Sequence, residues 1–377
     1  MIVHREDNLA VLAWQESPNY RIPAILHIVG EIDMQGKFLC MIDVTSIPLN
    51  YTPDTNDFPY DEIIALKQEA ESRGLRFYTI FECIYEAPTY RYKLSRYIDK
   101  LEVRSGISRS SVIIFSGAQH QFGDPVINCF TPMMSTSENV FKGSSAEILP
   151  QRHFVSLSRL AKPHRVLATV EILDKGLEPY GLISLGSGYY SSDAENSYRL
   201  SNVPERYRHK MPMMIDGIIA PGHLDSNQHK AADPRMNDAY VNVVMETAFD
   251  HEISPLTWNV PFISEKSIKP FAWGQVPIYI APPNSLPRLR ELGFDLFDEI
   301  VDHDYDKISD PIARIKFAIS ELERICQTHI SQHALHKISF MDRFAMNRAK
   351  ALQLHLHEKH RITIENLKRA LDEGVSS

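Results

Sequence analysis

Cysteine is scarce in this chain, and the chain as a whole is not basic. The 377 residues include four cysteines, and no two of them form a Cys-x-x-Cys pair. This spacing predicts neither a zinc knuckle nor a disulfide framework, and we expect four reduced thiols. The formal net charge of −8 argues against a protein that holds nucleic acid through a global positive field, although a local basic patch stays open.

Long apolar runs are also missing. No segment offers the roughly 18 consecutive apolar residues of a membrane span, and the first residues lack the apolar region of a signal peptide. We therefore expect no membrane span and a cytoplasmic location.

Three familiar motifs are incomplete. The acidic run Asp302–Asp310 imitates a calcium loop but has Lys307 where glycine is needed, so it is better interpreted as helix caps. His357 and His360 are three residues apart rather than the four of a zinc protease, and Gly186-Ser-Gly188 lacks the third glycine of a dinucleotide site. We predict no metal site and no nicotinamide site.

What is present is the composition of a globular protein, with 44% hydrophobic and 23% charged residues. The length exceeds one hydrophobic core, which predicts two domains, and strand patterns alternate with helix patterns. We expect an α/β protein with an N-terminal domain over residues 1–150, a second domain over 151–330 and a C-terminal helical extension over 331–377. A linker is predicted over 131–145.

The clearest local patterns lie in the first and second domains. Strands are predicted over Ala24–Val29, Phe38–Val44, Phe77–Tyr85, Val112–Phe115, His153–Leu157, Tyr180–Leu185, Ala239–Met245 and Val276–Ile280. Helices are predicted over Tyr60–Arg73, Pro163–Lys175, Glu265–Trp273, Leu286–Leu292, Pro311–Ile325 and Arg343–Arg369. Pro163 suits the first position of its helix, Ser264 caps another, and Gly274 ends that helix. Successive βα units of this kind form a parallel sheet with helix N-termini along one edge.

The segment Ser264-Glu265-Lys266 stands at the start of a predicted helix. Unpaired backbone N–H groups and the helix dipole favour an anion there, and the Lys266 ammonium would meet a phosphate as well. Glu265 could then accept hydrogen bonds from the ribose diol of a nucleotide. The alternative is an ordinary helix start with Glu near its positive end and a solvated Lys.

A second basic segment lies between a predicted strand and the first turn of the helix at Pro163. Arg159, Lys162 and Arg165 could clamp a diphosphate there, Arg159 as a bidentate fork and Lys162 as a point charge. Cations at a helix N-terminus are locally unfavourable unless an anion joins them. The alternative is a solvated basic turn.

Together these segments resemble a group of glycosyltransferases of tailed phages and large viruses. The shared motifs are Ser158-Arg-x-x-x-Pro-His-Arg165, Glu246-Thr247, Ser264-Glu-Lys-x-x-Lys-Pro270, Leu292-Gly-Phe294 and Tyr305-Asp306. The resemblance covers about residues 150–325. It extends the expected donor-binding set to Glu246 and Lys269, and it implies host-cell cytoplasm if a phage encodes the chain.

A looser similarity connects the chain to fucosyltransferase-like enzymes of GT-B architecture. That likeness implies two Rossmann-like domains facing a cleft, with phosphates on Arg159 and Lys266 and the ribose on Glu265. The donor would be a nucleotide-diphosphate sugar, and no further cofactor is expected.

Inverting transfer also needs a base for the acceptor hydroxyl. Asp43, Glu82, Glu86 and His120 stand at the ends of predicted strands of the N-terminal domain or just after them, and Asp43 is preferred among them. A retaining mechanism would not need this residue.

The acceptor stays open. The phage likeness implies a hydroxymethylated base in phage DNA that receives arabinose or a hexose. The surface for DNA would be the C-terminal tail, because residues 331–377 contain eight Lys and Arg against five Asp and Glu. A surface glycan or lipid-linked acceptor is the rival, and a non-catalytic binding or structural protein is the alternative from another class. The oligomeric state is not predicted.

Overall fold

A computed structural model describes residues 2–13, 29–43, 58–83, 91–116, 127–130, 146–158, 161–186, 203–211, 213, 237–247, 249–250, 253, 261, 263–354 and 359–373. Internal contacts divide the chain into two compact units, residues 1–133 with 357–377 and residues 134–356. The division therefore falls earlier than the predicted boundary near residue 150. The predicted extension is shared between the two units instead of standing apart.

The first unit contains a six-stranded sheet. Its strands are β1 (Ile2–Glu6), β2 (Leu9–Ala13), β3 (Lys37–Asp43), β4 (Arg76–Cys83), β5 (Val112–Ser116) and β6 (Ile127–Phe130), and they lie side by side in chain order. β1 and β2 form an antiparallel hairpin, and every later pair is parallel.

Helices cover both faces of this first sheet. α1 (Tyr60–Ser72) and α2 (Arg91–Ser105) follow β3 and β4, and both crossovers step in the same direction, so the right-handed rule places both helices on one face. That face buries Phe38, Ile63 and Leu101 together. The opposite face is covered by Leu367, Ala370 and Leu371 of α10 (Lys359–Glu373).

The second unit contains a four-stranded parallel sheet. Its strands are β7 (Arg152–Ser158), β8 (Gly181–Leu185), β9 (Ala239–Met245) and β10 (Val276–Ile280), in the order β10-β9-β7-β8. Its helices are α3 (Pro163–Asp174), α4 (Glu205–Arg208), α5 (Glu265–Ala272), α6 (Leu286–Glu291), α7 (Pro311–Cys326), α8 (Ile330–Ser339) and α9 (Met341–Gln353).

The strand order reverses between β7 and β9. The chain leaves β7 through α3 toward β8, whereas it leaves β9 through α5 toward β10 on the other side. Right-handed crossovers therefore put α3 and α5 on opposite faces of the sheet. α7 contacts α3, and α9 contacts α5, so each face carries at least two of the described helices.

The α/β class with parallel sheets is thus confirmed. The local signals also hold: Pro163 begins α3, and the Ser264 hydroxyl accepts a hydrogen bond from the Lys266 backbone N–H. Gly274 has φ +62°, and a Cβ there would lie 2.7 Å from the Cα of Ala146, so no other residue fits this turn.

None of the described helices has the length and hydropathy to cross a bilayer.

The expected helix Arg343–Arg369 is described in two parts, α9 and α10, and residues 355–358 between them lie outside the described residues. The two parts belong to different units. Phe344 is buried in the second unit and Leu367 in the first, so the apolar residues of this stretch contribute to two separate cores. The predicted strand Ala24–Val29 lies almost wholly outside the described residues, as does the linker 131–145.

A fully buried amine lies between α8 and α9. Lys337 is inaccessible to solvent, its Nζ has no hydrogen-bond partner within the described part of the chain, and it lies 5.3 Å from the centre of the Phe344 ring. Burial lowers the pKa of Lys337 from 10.5 to about 8. Keeping the Lys337 ammonium charged in the folded protein therefore lowers the free energy of unfolding.

We expect Lys337→Met to stabilise the protein at neutral pH, because methionine keeps the length of the side chain and removes the buried charge. The pKa difference corresponds to roughly 3 kcal/mol as an upper limit. Folding depresses this pKa, so the penalty is complete below pH 8 and disappears as the pH rises through 10.5. Urea unfolding of both proteins across this range measures the difference.

Lys316→Met is the matched control, since Lys316 is exposed on α7 and its loss should change stability by less than about 0.5 kcal/mol. A Lys337→Met protein that is less stable than wild type at neutral pH would contradict the expectation.

Candidate functional site

The reversal of strand order marks a crevice at the carboxyl end of the second sheet. In open parallel sheets, ligands bind where the loops after two neighbouring strands run to opposite faces. Here those strands are β7 and β9, and the segments that follow them lead to α3 and α5. The first sheet shows no such reversal among its described strands, so this rule points only to the second unit.

The first turn of α3 reaches across the crevice to the end of β9. Lys162 precedes the helix, and its Nζ donates to the Thr247 carbonyl at 2.9 Å. Arg165 is 4% exposed, and its Nη2 donates to the Glu246 carbonyl at 3.0 Å. The N-cap residue Lys162 makes no side-chain cap within the described part of the chain, and no acidic residue lies in the first turn, so two cations stand at a positive helix end.

His164 lies between these cations and is fully buried. Its Nε2 donates to the Glu246 carbonyl at 3.0 Å, and its ring stacks on Phe249 with 4.9 Å between ring centres. Burial, followed by the charges of Arg165 and Lys162, lowers the pKa of His164 well below its usual value. The imidazole is therefore neutral, and Nδ1 is an acceptor without a hydrogen-bond partner within the described part of the chain.

The Glu246 carboxylate lies at the start of α5 and is 1% exposed. It accepts from the Ser264 hydroxyl at 2.7 and 2.8 Å, from the Ser264 backbone N–H at 3.2 Å and from the Ser267 hydroxyl at 2.6 Å. The Thr247 backbone N–H donates to it at 2.6 Å. The place at which a phosphate was expected therefore holds a carboxylate of the protein itself.

The structure thus brings four of the expected donor-binding residues into one bonded group. Lys162 and Arg165 contact the backbone at the end of β9, and Glu246 and Ser264 contact each other. Sequence reasoning grouped Glu246 with the ligand-binding residues and missed its bonds to α5, because Glu246 and Ser264 are 18 positions apart and no local pattern links them.

The remaining donor-binding candidates are only partly described. Lys266 is half-buried in the first turn of α5, and Lys269 lies one turn later with its Nζ 5.7 Å from the centre of the Trp273 ring. Glu265 begins α5, but its side chain lies outside the described residues, and Arg159 lies outside them entirely. Their expected roles with phosphate and ribose stay predictions.

Two of the candidate bases occupy neighbouring strand ends in the first unit. Asp43 is the last residue of β3, and its register partner on β4 is Glu82. Both stand at the carboxyl edge of the first parallel sheet, although their side chains lie outside the described residues. Glu86 and His120 lie outside the described residues altogether, so their roles also stay predictions.

The motif Tyr305-Asp306 supports the loop after β10. The Tyr305 hydroxyl accepts from the Tyr279 backbone N–H at 3.0 Å, and the Asp306 carboxylate accepts from the backbone N–H groups of Ser285 and Leu286 at 3.1 and 3.2 Å. Burial raises the pKa of Asp306 to about 6. This motif shapes the β10 end of the crevice.

A buried ion pair fixes the segment after β9. Arg314 of α7 pairs with Asp250, and the two side chains are 2% and 3% exposed. The Arg314 Nε also donates to the Ala281 carbonyl after β10 at 3.1 Å, and its guanidinium lies 5.1 Å from the centre of the Phe249 ring. Phe249 in turn stacks on His164, so α7 and α3 both hold this segment.

Two pockets of about 440 Å³ lie away from the crevice. One is lined by Arg76 and Phe77, where β4 begins, and the other by Tyr240, His333 and His336, where β9 begins. Both are therefore at amino ends of strands, opposite to the edge that binds ligands in parallel sheets. Among the described residues, no group of three or more His, Cys, Asp or Glu is arranged to hold a metal ion.

Comparison with protein-family models, curated proteins and solved structures finds no match to this chain. The geometry of the crevice therefore carries the functional argument by itself.

We expect Arg314→Met to destabilise the protein by about 3–5 kcal/mol, because it leaves the Asp250 carboxylate buried without its partner. Arg324→Met on the same helix is the control. The Arg324 side chain is 54% exposed, pairs with Glu321 one turn away and donates to the Ile300 carbonyl, so its loss should cost about 1 kcal/mol. Chemical denaturation measures both losses. Equal losses in the two variants would show that the buried pair does not hold the segment.

Proposed function

We propose that the protein is a glycosyltransferase that moves a sugar from a nucleotide-diphosphate sugar to an acceptor hydroxyl. The observation that carries this proposal is the meeting of Lys162 and Arg165 with the end of β9 at the reversal of strand order. A helix start with two cations and no acidic residue in its first turn, at such a crevice, is suited to a diphosphate.

The crevice also meets the electrostatic need of the reaction. Glycosyl transfer from such a donor releases a nucleoside diphosphate, so the developing charge on the diphosphate must be stabilised. Lys162 offers a half-buried ammonium, while the buried Arg165 adds a second charge and the dipole of α3 adds a partial one. These groups form the leaving-group side of the proposed site.

In the proposed site, the nucleoside of the donor lies beside α5. Glu265 accepts from the ribose hydroxyls, and Lys266 and Lys269 lie on the same helix beside it. The proposed architecture is GT-B, with the donor on the second unit and the acceptor on the first. Asp43 at the end of β3 is the proposed base, and a hydroxymethylated DNA base is the proposed acceptor.

The described part of the C-terminal helix α10 adds little to the case for DNA. Its exposed charged residues are Glu365, Lys368, Arg369 and Asp372, in which the two signs balance. A glycan or lipid-linked acceptor therefore stays a second candidate for the same chemistry. Mass analysis of DNA after co-expression separates the two, because DNA transfer adds the mass of one sugar to a modified base.

We expect one of the UDP, GDP, CDP and TDP sugars to stabilise the protein against heat. A ligand at roughly 100 times its Kd adds about 2.7 kcal/mol. Lys162→Met should weaken this ligand about tenfold, because it removes a charged hydrogen-bond donor. Lys175→Met, at the other end of α3, is the matched control and should bind like wild type. If no nucleotide sugar shifts the melting temperature, the proposal is wrong.

Asp43→Asn should spare donor binding and reduce transfer by about a hundredfold or more, since it removes the general base. Glu82→Gln tests the residue beside it on β4 in the same assay. Sugar release and acceptor glycosylation are followed with the donor that the thermal shift identifies. Full turnover by Asp43→Asn would discard Asp43 as the base and favour Glu82 or a retaining mechanism.

A further inference from the structure

The α5 start already carries a full negative charge. The Glu246 carboxylate receives hydrogen bonds from the Ser264 and Ser267 hydroxyls and from two backbone N–H groups. A helix N-terminus attracts one anion through its unpaired N–H groups and its dipole. Because Glu246 supplies that anion, a second one would meet repulsion there instead of attraction.

The same glutamate lies against the proposed diphosphate position. Its backbone carbonyl accepts from His164 and Arg165 of α3, each at 3.0 Å. Covalent geometry keeps a glutamate carboxylate within roughly 6 Å of its own carbonyl oxygen. The carboxylate and the first turn of α3 are therefore close enough for a charge on one to act on a charge bound at the other.

We infer that Glu246 is a specificity-determining residue, which makes the crevice prefer a nucleoside diphosphate to a nucleoside triphosphate. The cations of α3 accommodate the charge of two phosphates, and the Glu246 carboxylate repels the additional charge of a third. This inference rests on the proposed function, since it concerns the same crevice. It assigns Glu246 to discrimination between ligands and not to a contact with the ribose.

The experiment compares UDP, GDP, CDP and TDP each with its own triphosphate by calorimetry in EDTA, so that no divalent cation neutralises the phosphates. Wild type should bind the better diphosphate more tightly than its triphosphate. Glu246→Gln keeps the shape of the side chain and removes the charge, and it should shift the ratio of the two affinities toward the triphosphate by about tenfold. A merely structural role would weaken both ligands equally and leave the ratio unchanged.

Ser267→Ala is the matched control. It removes one hydrogen bond to the carboxylate but keeps the charge, so the affinity ratio should stay that of wild type. Glu246→Met provides a second neutral variant, and thermal unfolding shows which variants are folded. If neither neutral variant folds, the affinities of wild type for the diphosphate and the triphosphate decide. A triphosphate that binds wild type as tightly as the diphosphate overturns the inference.

Failure of the inference differs from failure of the proposed function. Wild type that binds none of these nucleotides would remove the proposed function. If wild type binds the diphosphate and Glu246→Gln has the same ratio of diphosphate to triphosphate affinity as wild type, only the role of Glu246 is disproved.

Discussion

One glutamate connects the two helix starts on which the second unit's crevice depends. The backbone carbonyl of Glu246 accepts from His164 and Arg165 of α3, while its carboxylate accepts from Ser264 and Ser267 of α5. Each of these groups is buried, and a buried polar group that loses its partner costs about 1–3 kcal/mol. The two helices therefore cannot separate at the crevice without leaving several such groups unpaired.

The carboxyl edge of the second sheet is consequently rich in cations although the chain is acidic overall. Lys162, Arg165 and Arg314 all donate to backbone carbonyls at or just after the ends of strands. Side chains from α3 and α7 thus hold the segments that follow β9 and β10, and Phe249 lies between His164 and Arg314. Local arrangement, not net charge, determines what this edge can bind.

Sequence reasoning succeeds where the signal is local and fails where it is distant. Pro163, Ser264 and Gly274 each act on their own turn, so the bounds of α3 and α5 could be predicted within one residue. The bond between Glu246 and Ser264 spans 18 positions, and no propensity or period reports it. The assignment of the last helical pattern to two cores was missed for the same reason, since no local signal separates Phe344 from Leu367.

The strand order of the first sheet has a consequence for biosynthesis. Because the β3–β4 and β4–β5 crossovers step in one direction, α1 and α2 cover one face, and the other is covered by α10 together with Val29 and Ile32. The α10 residues Leu367, Ala370 and Leu371 emerge from the ribosome only after the entire second unit has been made. Until then the nascent first unit lacks part of the cover over Leu39, Met41 and Ile80, and apolar surface of this kind is recognised by chaperones and promotes aggregation.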